Sequence, residues 1–176
     1  LAMAAAMRNQ GTIVAFDDKP ERLAPLAQRA ARAGAGIIAI ADRRGGPACG
    51  RREAGGFDVA FVDAPCSGTG TWRRQPELRW RLTPQRLAVL TRIQDGLLDE
   101  AVRHAAPDGL IVNATCSVLP VENRDRVAAF LARHPDFQPV NLAQVWGANP
   151  PPGLYGDFQA SPALTGTDGF FAAGLR

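Results

Sequence analysis

Apolar positions along this chain follow two rhythms. Short, nearly unbroken apolar runs recur at Thr12-Ile13-Val14-Ala15-Phe16, Ile37-Ile38-Ala39-Ile40-Ala41, Phe57-Asp58-Val59-Ala60-Phe61-Val62, Leu110-Ile111-Val112 and Asp168-Gly169-Phe170-Phe171-Ala172-Ala173. Runs of this length, rich in β-branched and aromatic residues, predict buried strands. Between them apolar residues return at helical spacing. Leu87, Leu90, Ile93, Leu97, Leu98 and Ala101 share one helix face. Thr83-Pro84 supplies a cap and a first-turn proline, so that helix is expected to run to about His104. A second helix opens at Asp17-Asp18-Lys19-Pro20 and runs to about Ala33, where Gly34 and Gly36 stop it. Pro25 lies early in it, where a proline bends a helix or moves its start. A third runs from about Val121 to Arg133 and stops at His134-Pro135. Leu1 to Arg8 is an uncapped small-residue helical run ending at Asn9-Gln10-Gly11, and Pro107-Asp108-Gly109 is a turn. Arg43 to Gly56 and Gly147 to Gly156 read as surface loops. Strands alternating with helices predict an α/β fold, a doubly wound and mostly parallel sheet.

Composition narrows this picture. The chain has 176 residues and 46% apolar content, enough for one domain with a core. Of 20 basic residues only Lys19 is lysine, and the rest are arginine. Arginine presents a rigid fork of donors to phosphate and stacks on bases, so the mild basic excess fits an RNA partner as well as a solvated surface. No apolar run reaches the roughly 20 residues that span a bilayer, no signal peptide is visible, and an odd number of cysteines fits a reduced cytoplasmic setting better than an oxidising one. The three cysteines, Cys49, Cys66 and Cys116, form no paired ligand spacing, and His104 and His134 are isolated. Neither a disulfide framework nor a metal site is expected. Cys49, inside the first loop, has nothing nearby to activate it and is read as a passenger.

Two turns carry candidate chemistry. Asp63-Ala64-Pro65-Cys66-Ser67-Gly68-Thr69-Gly70 follows one strand, and Asn113-Ala114-Thr115-Cys116-Ser117 follows another. Parallel strands joined by a helix bring such ends to one sheet edge, where α/β proteins bind ligands. Asp17, Asp42 and Asp63 close three successive strands, and a strand-end acid can accept hydrogen bonds from ribose hydroxyls. Capping of the following helix is the other reading for Asp17 and Asp42. A thiolate added to C6 of cytosine makes C5 nucleophilic toward an electrophilic methyl group. That scheme needs an attacking cysteine, an acid near N3 and a group that assists release, and Cys116, Asp63 and Cys66 can fill those roles.

In order along the chain, these motifs resemble the RNA cytosine-C5 methyltransferases of the Sun family. The resemblance rests on the Asp63 and Thr115 turns together with four further segments. They are Ile13 to Asp17 with Glu21-Arg22-Leu23, Trp72 to Trp80, Val118 to Asn123, and Asp168-Gly169-Phe170-Phe171. It implies the class I S-adenosylmethionine-dependent fold, with Cys116 as nucleophile and Cys66 assisting release of the methylated base. Asp63 would contact both cytosine and S-adenosylmethionine. Asp17 would bind the ribose hydroxyls, Asp42 would sit near adenine, and Pro65 would shape the turn against the substrate. Arg73 and Arg74, with Arg79, Arg81, Trp72 and Trp80 around them, are candidates to face RNA, with rRNA the first substrate class and tRNA the second.

The chain departs from the family pattern in lacking a first strand and a glycine-rich loop ending in Gly-Lys-Thr. It therefore reads as a partial catalytic domain over residues 1–176, truncated at the N-terminus and expected to be inactive alone. Lys19 stands where the family commonly has a second acid. Two rivals are weighed. A methyltransferase acting on an exocyclic nitrogen would use an Asp/Asn-Pro-Pro-aromatic turn and no thiol, which Pro65-Cys66 and Cys116 oppose. A non-enzymatic RNA-binding or scaffold domain that keeps the fold is the alternative from another class. Phe170-Phe171 is expected in the core, and neither histidine is given a catalytic role.

Overall fold

The computed structural model describes residues 1–41 and 55–176. Asp42, Cys49 and most of the Arg43 to Gly56 loop lie outside the described residues. The chain forms two compact units, Leu1–Gly55 and Gly56–Arg176.

In the first unit, helix α1 (Ala2–Ala6) is shorter than the small-residue run. The chain turns through Arg8 and Asn9, both at positive φ, into strand β1 (Ile13–Ala15). Helix α2 (Pro20–Arg32) crosses over to β2 (Ile38–Ile40), which pairs parallel with β1 through Ile13–Ile38, Val14–Ala39 and Ala15–Ile40. Pro20 is in the first turn of α2, and Pro25 lies inside the helix without moving its start. Pro25 is the sixth residue of the helix, so it removes the bond that an N–H there would donate to the Glu21 carbonyl.

The second unit carries strand β3 (Phe57–Asp63), a 3-10 turn at Thr69–Thr71, the short helix α3 (Leu78–Arg81) and the long helix α4 (Pro84–His104). Thr83 caps α4 as expected, its side chain accepting from the Arg86 N–H at 3.1 Å. Strand β4 (Ala105–Thr115) begins directly after α4 and runs parallel to β3. It is longer than the apolar run because Ala105 already pairs with Phe57. The register then jumps to Val59–Leu110, so residues 106–109 bulge out. Gly109 permits this, since a Cβ there would sit 2.7 Å from the Phe57 carbonyl oxygen.

A 3-10 turn at Pro120–Glu122 precedes helix α5 (Arg124–Arg133), so the predicted third helix starts later than Val121. The remainder is β5 (Pro139–Val140), α6 (Leu142–Trp146), β6 (Phe158–Ala160), α7 (Pro162–Thr165) and β7 (Phe170–Leu175). Strand order is β3-β4-β7-β5, with β6 also on β7. β7 is antiparallel to β4, β5 and β6, so the α/β sheet changes direction after its parallel β3–β4 pair.

Asp17 follows the β1–β2 ladder of the first unit, and Asp63 ends β3 in the five-stranded sheet of the second. Strand alternation also corrects the reading of Phe170-Phe171. Phe171, Ala173 and Leu175 are buried, whereas Phe170 points the other way and is 39% exposed.

The core lies between this sheet and helices α4 and α5. Leu98, Ala101, Ile111, Phe130 and Leu175 form its centre, and Phe137 packs edge-on to Phe130 at 5.3 Å between ring centroids. Leu98 is fully buried. Truncating such a leucine to alanine costs about 2–5 kcal/mol. This packing fixes where β3 and β4 end. Among the described residues no helix is long and apolar enough to cross a membrane.

Candidate active site

Asp63 and Thr115 end adjacent parallel strands: Asp63 pairs with Ala114, one residue before Thr115. The chain leaves both strands on the same edge, and each carries its cysteine into the turn that follows. The Ala64 N–H donates to the Ala114 carbonyl at 3.0 Å, extending the ladder by one bond. Further on, the Gly70 N–H donates to the Cys116 carbonyl, also at 3.0 Å. The two turns are thus laced together on both sides of the cysteines.

The sulfurs of Cys66 and Cys116 lie 3.3 Å apart, and both cysteines are free thiols of intermediate exposure. The pair shares one hydrogen bond, so the two sulfurs are not equivalent. Cys116 is lowered to about 7, first because Cys66 donates to its sulfur and then because its own backbone N–H helps. Burial and the nearby carboxyl groups of Asp63 and Glu122 act against this. Cys66 is pushed well above the ordinary thiol range, by its hydrogen bond to Cys116 and by burial. The shared hydrogen bond thus favours a thiolate on Cys116 with the proton held on Cys66.

Asp63 is exposed at the end of β3, and no described residue donates a hydrogen bond to its carboxyl group. Pro65 is exposed too, and its carbonyl accepts from Gln94 Nε2 at 2.9 Å, which ties the cysteine turn to α4. A cleft of about 170 Å³ opens beside the Cys116 turn, lined in part by Ser117, Val118, Gln159, Ser161 and Phe170. In the first unit, Asp17 Oδ1 accepts from the Lys19 N–H at 2.9 Å, and Oδ2 lies 3.7 Å from Arg22. That local bond holds Asp17 below the usual carboxylate range, burial opposing and Arg22 adding to it.

Arg73 and Arg74 converge on one carboxylate. Arg73 donates from Nε and Nη2 to Asp168 Oδ1 at 3.2 and 3.0 Å, and Arg74 Nε donates to Oδ2. Both arginine side chains stay more than half exposed. Two guanidinium groups on one acid leave a net positive charge with fixed orientation. Trp80 is 77% exposed, with the Arg79 guanidinium 4.5 Å above its ring, while Trp72 is partly buried.

The buried polar cluster under the two turns was not anticipated from sequence. Glu122, Ser67, Thr69, Ser117, Asn123 and Gln94 are all nearly or fully buried. The available signal was that a serine follows each cysteine at the same place, and buried hydroxyls need acceptors. Glu122 itself reads in sequence as an ordinary surface acid. Gly70 and Gly169 complete the frame. A Cβ on Gly70 would lie 2.2 Å from the Gly169 carbonyl oxygen, and one on Gly169 would lie 2.4 Å from a Val118 methyl. Among the described residues no group of three or more His, Cys, Asp and Glu is placed to hold a metal ion.

A parallel strand pair with a crossover helix and a cysteine turn at each strand end is an α/β arrangement of the kind that binds ligands at one sheet edge. The solved structure of PH0851 superposes with a TM-score of 0.83 at 33% identity, over 99% of this chain and 39% of that one. A methyltransferase homologue from Pyrococcus horikoshii gives 0.75 at 25% identity, over 99% of this chain and 56% of that one. NSun6 from the same organism, solved with SFG, shares the fold with a TM-score of 0.75 at 21% identity, covering 99% and 43% of the two chains.

Residues 2–176 match the family described as 16S rRNA methyltransferase RsmB/F, and the chain belongs to that family of RNA methyltransferases. Ribosomal RNA small subunit methyltransferase B of Cronobacter sakazakii is 39% identical over 127 residues, which cover 72% of this chain and 27% of that protein. The protein of the same name from Sodalis glossinidius is 44% identical over 117 residues, 66% of this chain and 25% of that protein. The chain thus spans about a quarter of the length of these relatives.

Proposed function

We propose that the protein carrying this chain methylates C5 of cytosine in RNA, with rRNA the first substrate class and tRNA the second, using S-adenosylmethionine in the cytoplasm. Residues 1–176 would be part of its catalytic domain. The observation that carries this reading is the 3.3 Å contact between two free thiols, each in the turn that follows one of two adjacent parallel strands. A methyltransferase acting on nitrogen has no use for that pair.

The residues present suit the cofactor. Asp63 offers a carboxyl group at a strand end that receives no hydrogen bond from the described residues, and Asp17 is only partly engaged by its own turn. Strand-end acids of this kind accept ribose hydroxyls or lie against a sulfonium. Asp42 would share the adenine end. Bound S-adenosylmethionine would supply an electrophilic methyl group.

The chain's own groups do the rest. The Cys116 thiolate attacks C6 of a cytosine taken out of its stack, which turns C5 into a nucleophile. Asp63 hydrogen-bonds at N3 and relieves the charge that develops on the ring. Once C5 carries the new methyl group, its proton passes to water, the C–H electron pair closes the C5–C6 double bond, and the Cys116 sulfur departs as thiolate. Cys66, in contact with that sulfur, assists this elimination. Pro65 shapes the turn against the base. Arg73 and Arg74, held by Asp168 but still exposed, contact the RNA backbone.

The test is methyl transfer by the full protein to a small-subunit rRNA transcript, read as 5-methylcytosine by nucleoside mass spectrometry. Cys116→Ala should abolish product. Product formed at the unmodified rate would end the nucleophile assignment.

A further inference from the structure

We infer that Glu122 is a positioning residue whose buried carboxyl group locks the Cys66 and Cys116 turns together and so holds the two sulfurs in contact. This rests on the reading of Cys116 as nucleophile and adds a residue that touches neither base nor sulfur.

Glu122 is fully buried at the end of the 3-10 turn that follows Cys116. Its Oε1 accepts from the Ser67 N–H at 2.8 Å and from Gln94 Nε2 at 3.2 Å. Its Oε2 accepts from Ser117 Oγ at 2.6 Å and from Ser67 Oγ. Four donors therefore meet one carboxyl group. Two come from the residue after Cys66, one from the residue after Cys116, and one from α4. Thr69 adds a further tie, its hydroxyl lying 3.0 Å from Ser117 Oγ and accepting from the Val118 N–H at 3.0 Å.

No arginine, lysine or histidine forms an ion pair with Glu122 among the described residues. A buried acid without a counter-cation is costly to keep, and it needs donors on every side to remain there. Here every donor belongs to a cysteine turn or to the helix behind them. An apolar side chain in its place would leave the Ser67 N–H without its acceptor and take the carboxylate from the Ser67 and Ser117 hydroxyls, so the turns would re-form around other bonds.

The sign of one measurement separates positioning from a mere buried charge. The groups that face Cys116 are Cys66, Asp63 and Glu122, and both acids oppose its ionisation while the Cys66 hydrogen bond favours it. If Glu122 acted only as a charge, removing it would make Cys116 easier to ionise. If it positions the turns, removing it breaks the sulfur contact and makes Cys116 harder to ionise.

The experiment follows Cys116 alkylation by iodoacetamide against pH in the full protein, without RNA, resolved peptide by peptide by mass spectrometry. With Glu122→Gln, the inflection should move up from about 7 toward the ordinary thiol value of about 8.5, and alkylation near pH 7 should slow about threefold, the more basic thiolate being the better nucleophile. In a Cys66→Ala background the same change should lose this upward effect. An inflection that stays put or moves down in a folded Glu122→Gln protein overturns the proposal. Should that variant fail to fold by circular dichroism, Ser117→Ala decides. It removes the donor on the Cys116 turn and should give a smaller shift of the same sign; no shift overturns the proposal. Normal methyl transfer with an unmoved inflection sinks only the Glu122 role. The expected shift in a protein that never methylates RNA sinks the functional reading and leaves the positioning role standing.

Discussion

Replacing Cys66 with alanine removes the hydrogen bond that lowers Cys116 most. Cys116 lies at about 7 against an ordinary value of 9.0. Without its partner it should return most of that distance, and the thiolate share at pH 7 should fall from about one half to about one in a hundred. Reactivity falls less than this, because a more basic thiolate is the better nucleophile. A Brønsted slope of about 0.4–0.5 restores roughly eightfold, which leaves Cys116 about sixfold slower at pH 7 toward a disulfide probe. The same slope reverses the order in alkali, where both proteins are ionised and the variant should be the faster by about eightfold. Stopped-flow reaction with 4,4′-dithiodipyridine across the neutral and alkaline range, with Cys116 resolved by peptide mass spectrometry, reads both limbs. A Cys66→Ala protein whose Cys116 inflection stays near 7, with no crossing of the two profiles, would refute the claim that Cys66 holds the proton.

Three further outcomes are expected. Gly70→Ala drives a Cβ into the Gly169 carbonyl, so it should destabilise the protein by about 1–3 kcal/mol in urea unfolding, as overpacking does; unchanged stability would mean these two backbones are not in contact. Diamide should oxidise the Cys66 and Cys116 thiols to one disulfide, taking up their two hydrogens, because the sulfurs already lie 3.3 Å apart; tryptic mass spectrometry that finds only mixed or Cys49-linked products would place the sulfurs apart. Asp99 lies below its ordinary carboxyl value: burial acts against ionisation, but hydrogen bonds and charge from His134 and Arg133 outweigh it. A depressed folded-state value gives stability that is fully present above the unfolded value of 3.8 and is lost as pH falls through the lower folded one. Asp99→Asn should therefore cost about 0.5–1 kcal/mol near neutral pH, solvent screening keeping it small, and the difference should fade in acid; a cost that persists at the lowest pH would contradict this sign.

Features encoded by neighbouring residues were legible before the structure. Thr83-Pro84 and the spacing of Leu87 to Ala101 located α4, because cap and apolar face are both local. The two cysteine turns were legible because each follows a strand that is read from its own residues. What escaped was decided by partners distant in the chain. β5 and β6 are strands of two and three residues whose extension comes from pairing with β7. Ala105 enters β4 only because Phe57 lies beside it. Phe170 and Phe171 are chemically identical, and only the pleat of β7 sends one inward and the other out. Glu122 was the largest omission in the site. A carboxyl group is buried when donors surround it, and its donors come from Ser67, Gln94 and Ser117, two of them on distant stretches of chain.

The division of labour between the two cysteines has a decisive readout. The full Cys66→Ala protein, incubated with small-subunit rRNA and S-adenosylmethionine, should accumulate a covalent protein–RNA adduct on denaturing gels, since attack by Cys116 proceeds and release stalls. Adding Cys116→Ala to it should abolish that adduct. An adduct that persists without Cys116, or none in Cys66→Ala while 5-methylcytosine is still released, would contradict attack by Cys116 and release by Cys66.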